Sequence, residues 1–103
     1  MQFPEMRLSA ENGDSNLRSM TLYGRIRNDS LAELSRLTLK VYFLRSDKTL
    51  VDTESVSVLL VPHLRAGEAK SFSEHLYPRG VPSEFTWSYA IEEATFWKDG
   101  HVY

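Results

Sequence analysis

The sequence predicts an all-β fold in which two antiparallel sheets pack face to face as a sandwich. Apolar and polar residues alternate over residues 20–27, 34–43 and 85–91, and this period of two is typical of strands that bury one face. Clusters of turn-forming residues separate these runs, and no long segment has the periodicity of a helix. We therefore expect a sandwich of about six to eight strands, with a small closed barrel as the alternative.

Length and composition indicate one globular domain and exclude several classes of function. The 103 residues are 42% hydrophobic, which suits one domain with one core. There is no cysteine, so disulfides, thiolate metal sites and cysteine nucleophiles are excluded. Twelve Lys and Arg oppose 14 Asp and Glu, for a net charge of -2, so a nucleic-acid partner is not expected. No apolar run reaches the length of a membrane helix.

The first three strands are predicted at about residues 5–11, 18–27 and 34–44. Residues 12–16 form a dense cluster of turn-forming side chains between the first two. Gly24 takes an inward position of the second strand, which indicates a bulge or a close approach of backbone. Asn28-Asp29-Ser30 supplies the turn chemistry before the third strand.

The later strands are predicted at about residues 49–61, 70–77 and 85–96, and the middle one of these also fits a helical turn. Asp52 and Glu54 share the parity of the apolar residues after them, so either the register changes near Ser55 or only one end of the strand is buried. The apolar parity of the last strand shifts across Glu92-Glu93, which predicts a β-bulge. We assign residues 1–103 to one β-sandwich domain and expect a frayed tail over about 98–103.

A pattern of core and turn positions runs through the middle of the chain. It consists of a strand ending in Gly-x-Ile-x-Asn, an alternating strand ending in Phe, a polar turn followed by Leu-Val, a Gly-Glu turn and a strand containing Phe. The matching segments are Gly24-Arg-Ile-Arg-Asn28, Leu37-Thr-Leu-Lys-Val-Tyr-Phe43, Leu50-Val51, Ala66-Gly67-Glu68 and Phe72. Over about residues 23–91 the chain thus resembles the FxLYD-type and related immunoglobulin-like domains of bacterial envelope proteins.

This resemblance implies an immunoglobulin-like sandwich and a module without catalytic residues. Such domains are often exported or membrane-tethered, and they contact other proteins or components of the cell wall. A periplasmic or envelope-associated location is therefore favoured over a cytoplasmic one.

Side chains that bind metals or carry catalysis occur without the spacing that such sites need. His63, His75 and His101 lie far apart in the sequence, whereas zinc ligands usually come in close pairs. There is no Gly-x-Ser-x-Gly elbow and no glycine-rich phosphate loop. We therefore expect a protein that is not an enzyme, with no cofactor and no metal.

Outward residues of the second and third strands give a binding hypothesis. If the two strands pair across the turn at 28–33, then Tyr23, Arg25, Arg27, Lys40 and Tyr42 share one face. A basic and aromatic face of a small barrel suits single-stranded nucleic acid or an acidic ligand, which is the alternative function. The competing interpretation is a solvated face whose positive charges are offset by the two carboxylates of the fourth strand.

Trp97, beyond the predicted bulge, is a candidate for an exposed anchor. A partner that docks on an edge strand there would gain main-chain hydrogen bonds and an aromatic contact. Trp87 and Tyr89 of the same strand are assigned to the core instead. The sequence thus predicts a non-catalytic interaction or structural module that binds another protein, or a second copy of itself, through an edge strand.

Overall fold

The computed structural model describes residues 1–11, 19–58, 60, 63–82, 84–98 and 101–102, so the predicted turn at 12–16 lies outside the described residues. The described residues form seven strands and no helix, and none of them belongs to a helix that could cross a membrane. The strands are β1 (Gln2–Glu11), β2 (Ser19–Arg27), β3 (Glu33–Arg45), β4 (Leu50–Val58), β5 (Ala69–Leu76), β6 (Phe85–Lys98) and β7 (His101–Val102). The alternative of a helical turn in place of β5 is therefore wrong.

The strands build two antiparallel sheets, and the predicted sandwich is confirmed. The first sheet has the order β1-β2-β5, and the second has the order β4-β3-β6-β7. No pairing among the described strands joins one sheet to the other, so the alternative of a closed barrel is wrong. The inward residues of β2 and β3 lie at the centre of the core, and every second residue is buried from Met20 to Ile26 and from Leu37 to Phe43.

The core is continuous between the sheets. Its fully buried side chains come mainly from β2 and β3, because these two strands have neighbours on both sides. The largest of them are Phe43, Met20, Leu22, Ile26, Leu34, Leu37, Leu39 and Val41. Side chains of β1 and β6 pack against this core and are only partly buried.

β2 and β3 do not pair with each other, so the condition for the predicted basic and aromatic face is not met. β2 pairs with β1 and β5, whereas β3 pairs with β4 and β6. The turn at 28–33 carries the chain across the core from one sheet to the other. The physical reason is that each strand fills both of its hydrogen-bonding sides within its own sheet.

Asn28 holds this crossing in place. Its side chain is fully buried, and Nδ2 donates to the carbonyl oxygens of Ala32 at 2.8 Å and Leu64 at 2.9 Å. Its Oδ1 accepts from the main-chain N–H of Ser30 at 3.1 Å and from the Ser30 hydroxyl at 2.6 Å. The amide therefore uses both donors and its acceptor, which is what burial of a polar group requires.

Gly24 marks a close approach, which is one of the two options that the sequence left open. It pairs with Phe72 of β5 on one side and with Met6 of β1 on the other. A Cβ at this position would lie 2.5 Å from Phe72 Cζ and 2.6 Å from Met6 Sδ. The absence of a side chain thus lets the Phe72 ring lie over the centre of the first sheet.

The predicted bulge in the last strand is confirmed at Glu92. Thr38 pairs with Glu93, and the next residue of β3, Leu39, pairs with Ile91, so Glu92 is the extra residue. The insertion returns the apolar residues after it to the inner face.

At both ends of the chain the strands extend beyond the predicted bounds. β1 begins at Gln2, a register shift lies between Gln2 and Glu5, and Phe3 packs against the core. Of the tail expected to fray over about 98–103, the described residues Lys98, His101 and Val102 lie in strands. Lys98 is the last residue of β6 and pairs with β7, whose two residues extend the second sheet.

Asp52 and Glu54 face inward rather than offsetting the charges of an outer face. They pair with the buried residues Phe43 and Val41 in an unbroken register, so the change of register suggested near Ser55 is wrong and the other option, partial burial of β4, is correct. Their carboxylates accept main-chain N–H groups from the segment after β5. Glu54 Oε2 lies 2.9 Å from the N of Tyr77, and Asp52 Oδ2 lies 2.9 Å from the N of Arg79.

Glu54 makes the stability of the fold depend on pH. Burial raises the pKa of its carboxyl above the ordinary 4.5, the Tyr77 N–H opposes this, and the charge of Asp52 adds to it. A raised pKa in the folded state contributes stability below the ordinary value, and this contribution is lost as pH rises through the folded pKa. We expect Glu54→Gln to gain stability over the native chain as pH rises above 4.5.

Urea denaturation between acidic and neutral pH measures this difference. Asp47→Asn is the control of opposite sign, because hydrogen bonds from Thr49 lower the pKa of Asp47. Its loss of stability relative to the native chain should be present at neutral pH and disappear in acid. If the free energy of unfolding depends on pH in the same way for Glu54→Gln and the native chain, the pKa of Glu54 is not raised by folding.

Candidate protein-binding edge

Among the described strands, none pairs with one side of β6 along most of its length. β6 pairs with β3 from Phe85 to Trp97, whereas its other side pairs with β7 only at Trp97 and Lys98. In the described part of the chain, the stretch of β6 before the bulge therefore presents unpaired main-chain N–H and C=O groups. We call residues 85–91 the open edge.

The open edge is the least protected of the strand edges in the described structure. β4 and β5 each turn charged residues inward at their free sides, which discourages pairing with another chain. These residues are Asp52 and Glu54 in β4 and Lys70 and Glu74 in β5. β1 carries Pro4 beside its register shift. Residues 85–91 contain no charge, no proline and no glycine.

The inner side of the open edge is incompletely covered. Trp87 and Tyr89 face the core yet are only partly buried, and Ile91 is 47% exposed although it pairs with the buried Leu39. The equivalent inward positions of β3 are fully buried. An apolar strip thus lies beside unpaired main chain, which is the arrangement that strand addition uses.

A groove runs between the open edge and β1. We call it the side groove; it has a volume of about 440 Å³ and is lined by Phe3, Met6, Trp87, Ser88 and Tyr89. The Phe3 and Tyr89 rings meet edge to face across it at 5.4 Å, and the Trp87 and Tyr89 ring centres are 6.1 Å apart. Its mostly apolar lining suits an apolar side chain from a strand laid along β6.

Acidic residues stand at both ends of the open edge. Glu84 precedes it and Glu92 and Glu93 follow it, and all three are exposed. The Ser55 hydroxyl donates to Glu92 Oε2 at 2.6 Å, and Arg36 lies 3.9 Å from Glu93. Both contacts reach toward the paired side of β6, and one acidic residue directly precedes the uncharged segment while two directly follow it.

The predicted basic and aromatic residues are divided between the two outer faces of the sandwich. Tyr23, Arg25 and Arg27 lie on the outer face of β2, whereas Lys40 and Tyr42 lie on the outer face of β3 in the other sheet. These five residues therefore do not form one surface.

The outer face of β2, which carries three of these five residues, is partly basic. The Arg7 guanidinium lies 5.1 Å from the centre of the Tyr23 ring, a cation–π contact. Arg25 and Arg27 are exposed and form no ion pair with a carboxylate of the described residues. Glu5, which pairs with Arg25, reduces the net charge of this face.

Trp97 is 37% exposed, as predicted, but the main chain beside it is not free. It pairs with Glu33 on one side and with Val102 of β7 on the other. Its indole instead lines a groove of about 640 Å³ at the end of the sandwich, together with Leu31, His63 and Arg65. The unpaired part of the strand lies before the bulge, where the sequence placed Trp87 and Tyr89 in the core.

The histidines are separated in the structure. His63 is exposed, with Nδ1 3.3 Å from Glu33 Oε2, and His75 Nδ1 lies 3.3 Å from the Thr21 hydroxyl. The side chain of His101 lies outside the described part. Among the described side chains, no three histidine or acidic groups are placed to hold a metal ion.

Sequence reasoning missed the open edge because strand count and alternation do not show which neighbours a strand has. One signal was present: a seven-residue uncharged run between Glu84 and Glu92. Comparisons of this chain with protein-family models, curated proteins and solved structures found no match. The assignment of the edge therefore depends on its geometry.

Proposed function

We propose that this protein is a non-catalytic protein-binding module that accepts an extended segment of another protein along β6. The observation that carries the proposal is the open edge, which combines unpaired main chain with the partly buried Trp87 and Tyr89 and the exposed Ile91. An added strand would complete the second sheet and cover this apolar strip. Main-chain hydrogen bonds would supply affinity, and the side groove would supply specificity.

We further propose that the module is of the immunoglobulin-like, FxLYD-related kind found in bacterial envelopes. The strand order supports this: β1-β2-β5 faces β4-β3-β6-β7, the order expected of such a sandwich whose fourth strand lies in the second sheet. The buried Asn28 and the close approach at Gly24 give physical roles to two positions of the matched pattern. An envelope-associated location follows from this resemblance.

A charge placed inward on the open edge should weaken binding strongly. Ile91→Lys places an inward charge on the edge, as β4 and β5 already do, at a position that is exposed enough for the fold to tolerate it. The probe is a short peptide with uncharged ends in which valine and phenylalanine alternate with threonine. We expect it to protect main-chain amides of residues 85–91 from hydrogen exchange, and Ile91→Lys to weaken its binding by at least about tenfold.

Leu50→Lys is the matched control, because Leu50 is 53% exposed at the start of β4 on the opposite edge. This variant should bind the peptide as the native chain does. The proposal is wrong if the peptide leaves residues 85–91 unprotected, or if the two lysine variants weaken binding equally.

A further inference from the structure

We call Glu84 at one end of the open edge, and Glu92 and Glu93 at the other, the acidic brackets. We infer that these brackets select a partner strand with basic residues at both of its ends. This inference rests on the proposed function and specifies the partner. The occupant is an extended segment of another protein in which an alternating apolar stretch lies between two Lys or Arg residues.

The spacing of the brackets sets the length of the partner segment. Glu84 and Glu92 are separated by the seven residues of the open edge. At a rise of about 3.3 Å per residue, they lie roughly 26 Å apart along the strand. A partner strand whose two basic residues are about eight positions apart therefore places one of them at each end of the open edge, where Glu92 and Glu93 would exchange their surface contacts with Ser55 and Arg36 for the charge of the partner. Opposite charges on neighbouring strands stabilise the pairing, and like charges oppose it.

The inner face of the partner strand is specified by the side groove. Residues that alternate toward the core would lie beside Trp87 and Tyr89 and could fill the space against Phe3 and Met6. At least one of them should be a large apolar residue, because the groove has a volume of about 440 Å³. The outer face meets only small uncharged side chains, those of Thr86, Ser88 and Ala90.

The same brackets disfavour a second copy of this chain as the occupant. Two antiparallel copies of the open edge would pair about Ser88, the centre of residues 85–91. This register places Glu92 opposite Glu84 of the second copy, and the twofold symmetry repeats the juxtaposition. Like charges directly opposite each other destabilise a strand pair. The brackets thus protect the edge against self-pairing and leave it available to a basic partner.

Two synthetic peptides test the inference. Both contain the same alternating core of valine, phenylalanine and threonine, with lysine at both ends in one and glutamate at both ends in the other. At low ionic strength we expect the lysine-ended peptide to bind the native chain about tenfold more tightly, measured by calorimetry. The difference should shrink strongly at about 1 M salt, where the Debye length is about 3 Å.

Variants without the acidic side chains test whether the brackets cause the preference for the lysine-ended peptide. Glu84→Gln combined with Glu92→Gln and Glu93→Gln should remove most of the difference between the two peptides while leaving the binding of an uncharged peptide unchanged. The control variant removes the same number of charges away from the open edge, through Glu5→Gln in β1, Glu68→Gln before β5 and Glu74→Gln in β5, and should keep the preference.

The outcomes separate this inference from the proposed function. Equal binding of the two peptides, with protection of residues 85–91 by both, would overturn the selection and leave strand addition intact. Failure of every peptide to protect residues 85–91 would overturn both proposals. The third case is self-association, which sedimentation velocity detects as a dimer. If hydrogen exchange then shows that the dimer protects the amides of the open edge, the occupant is a second copy and the inference is wrong.

Discussion

Replacing Asn28 with alanine is expected to destabilise the fold by about 3 kcal/mol, because four hydrogen bonds are lost at a fully buried position. The Ala32 and Leu64 carbonyls each keep another partner, the Ser30 hydroxyl and the Leu34 N–H. The Ser30 N–H loses its acceptor entirely. The expected loss is therefore smaller than four independent hydrogen bonds would give, and it remains a large part of the stability of a domain this size.

Urea denaturation of the purified variant measures this loss. Leu31→Ala is the control, because Leu31 belongs to the same turn and is 80% exposed, so its effect should stay within about 0.5 kcal/mol. Asn28→Asp provides a second test, since it keeps the shape but directs a carboxylate oxygen toward two carbonyl oxygens. A loss below about 1 kcal/mol for both Asn28 variants would contradict the role assigned to this residue.

Gly24→Ala is expected to cost about 2 to 3 kcal/mol through overpacking in the first sheet. The added Cβ would lie 2.5 Å from Phe72 Cζ and 2.8 Å from Phe72 Cε1, distances that a buried ring relieves only by moving. Met6 Sδ, at 2.6 Å, belongs to a flexible side chain and can give way more easily. The cost should therefore come mainly from Phe72.

A double-mutant cycle isolates this contact. In a Phe72→Leu background, Gly24→Ala should cost less than about 1 kcal/mol, because the smaller side chain leaves room for the methyl group. Chemical denaturation of the four proteins gives the coupling energy. An unchanged cost in the two backgrounds would mean that the glycine serves some purpose other than admitting the Phe72 ring.

Strand positions and the main bulge were predictable because they depend on local alternation. Residues 18–27 and 34–44 were predicted as strands and are found as Ser19–Arg27 and Glu33–Arg45. The shift in parity at Glu92-Glu93 appears as the extra residue Glu92. In each case the alternation of apolar and polar residues lies within one continuous segment, because one buried face fixes the period and the parity of a strand.

The partners of each strand were not predictable in the same way. A polar turn between two alternating runs fits a hairpin and also fits a crossing between sheets. Asn28 distinguishes them only in the folded protein, where its amide reaches Leu64 from the loop after β4. The division of Arg25 and Lys40 between opposite outer faces follows from this crossing. So does the inward orientation of Asp52, which the sequence left open.

The sequence by itself determined that this chain forms a sandwich of short strands with one buried face each, because period-two burial is a local property of the backbone. Only the tertiary structure decided which strand edge stays unpaired, because pairing joins residues that are distant in the sequence. It gives β6 one neighbour along residues 85–91 among the described strands and places Phe3 of β1 across the side groove from Tyr89. The candidate site is the stretch of β6 that pairs with β3 alone among the described strands.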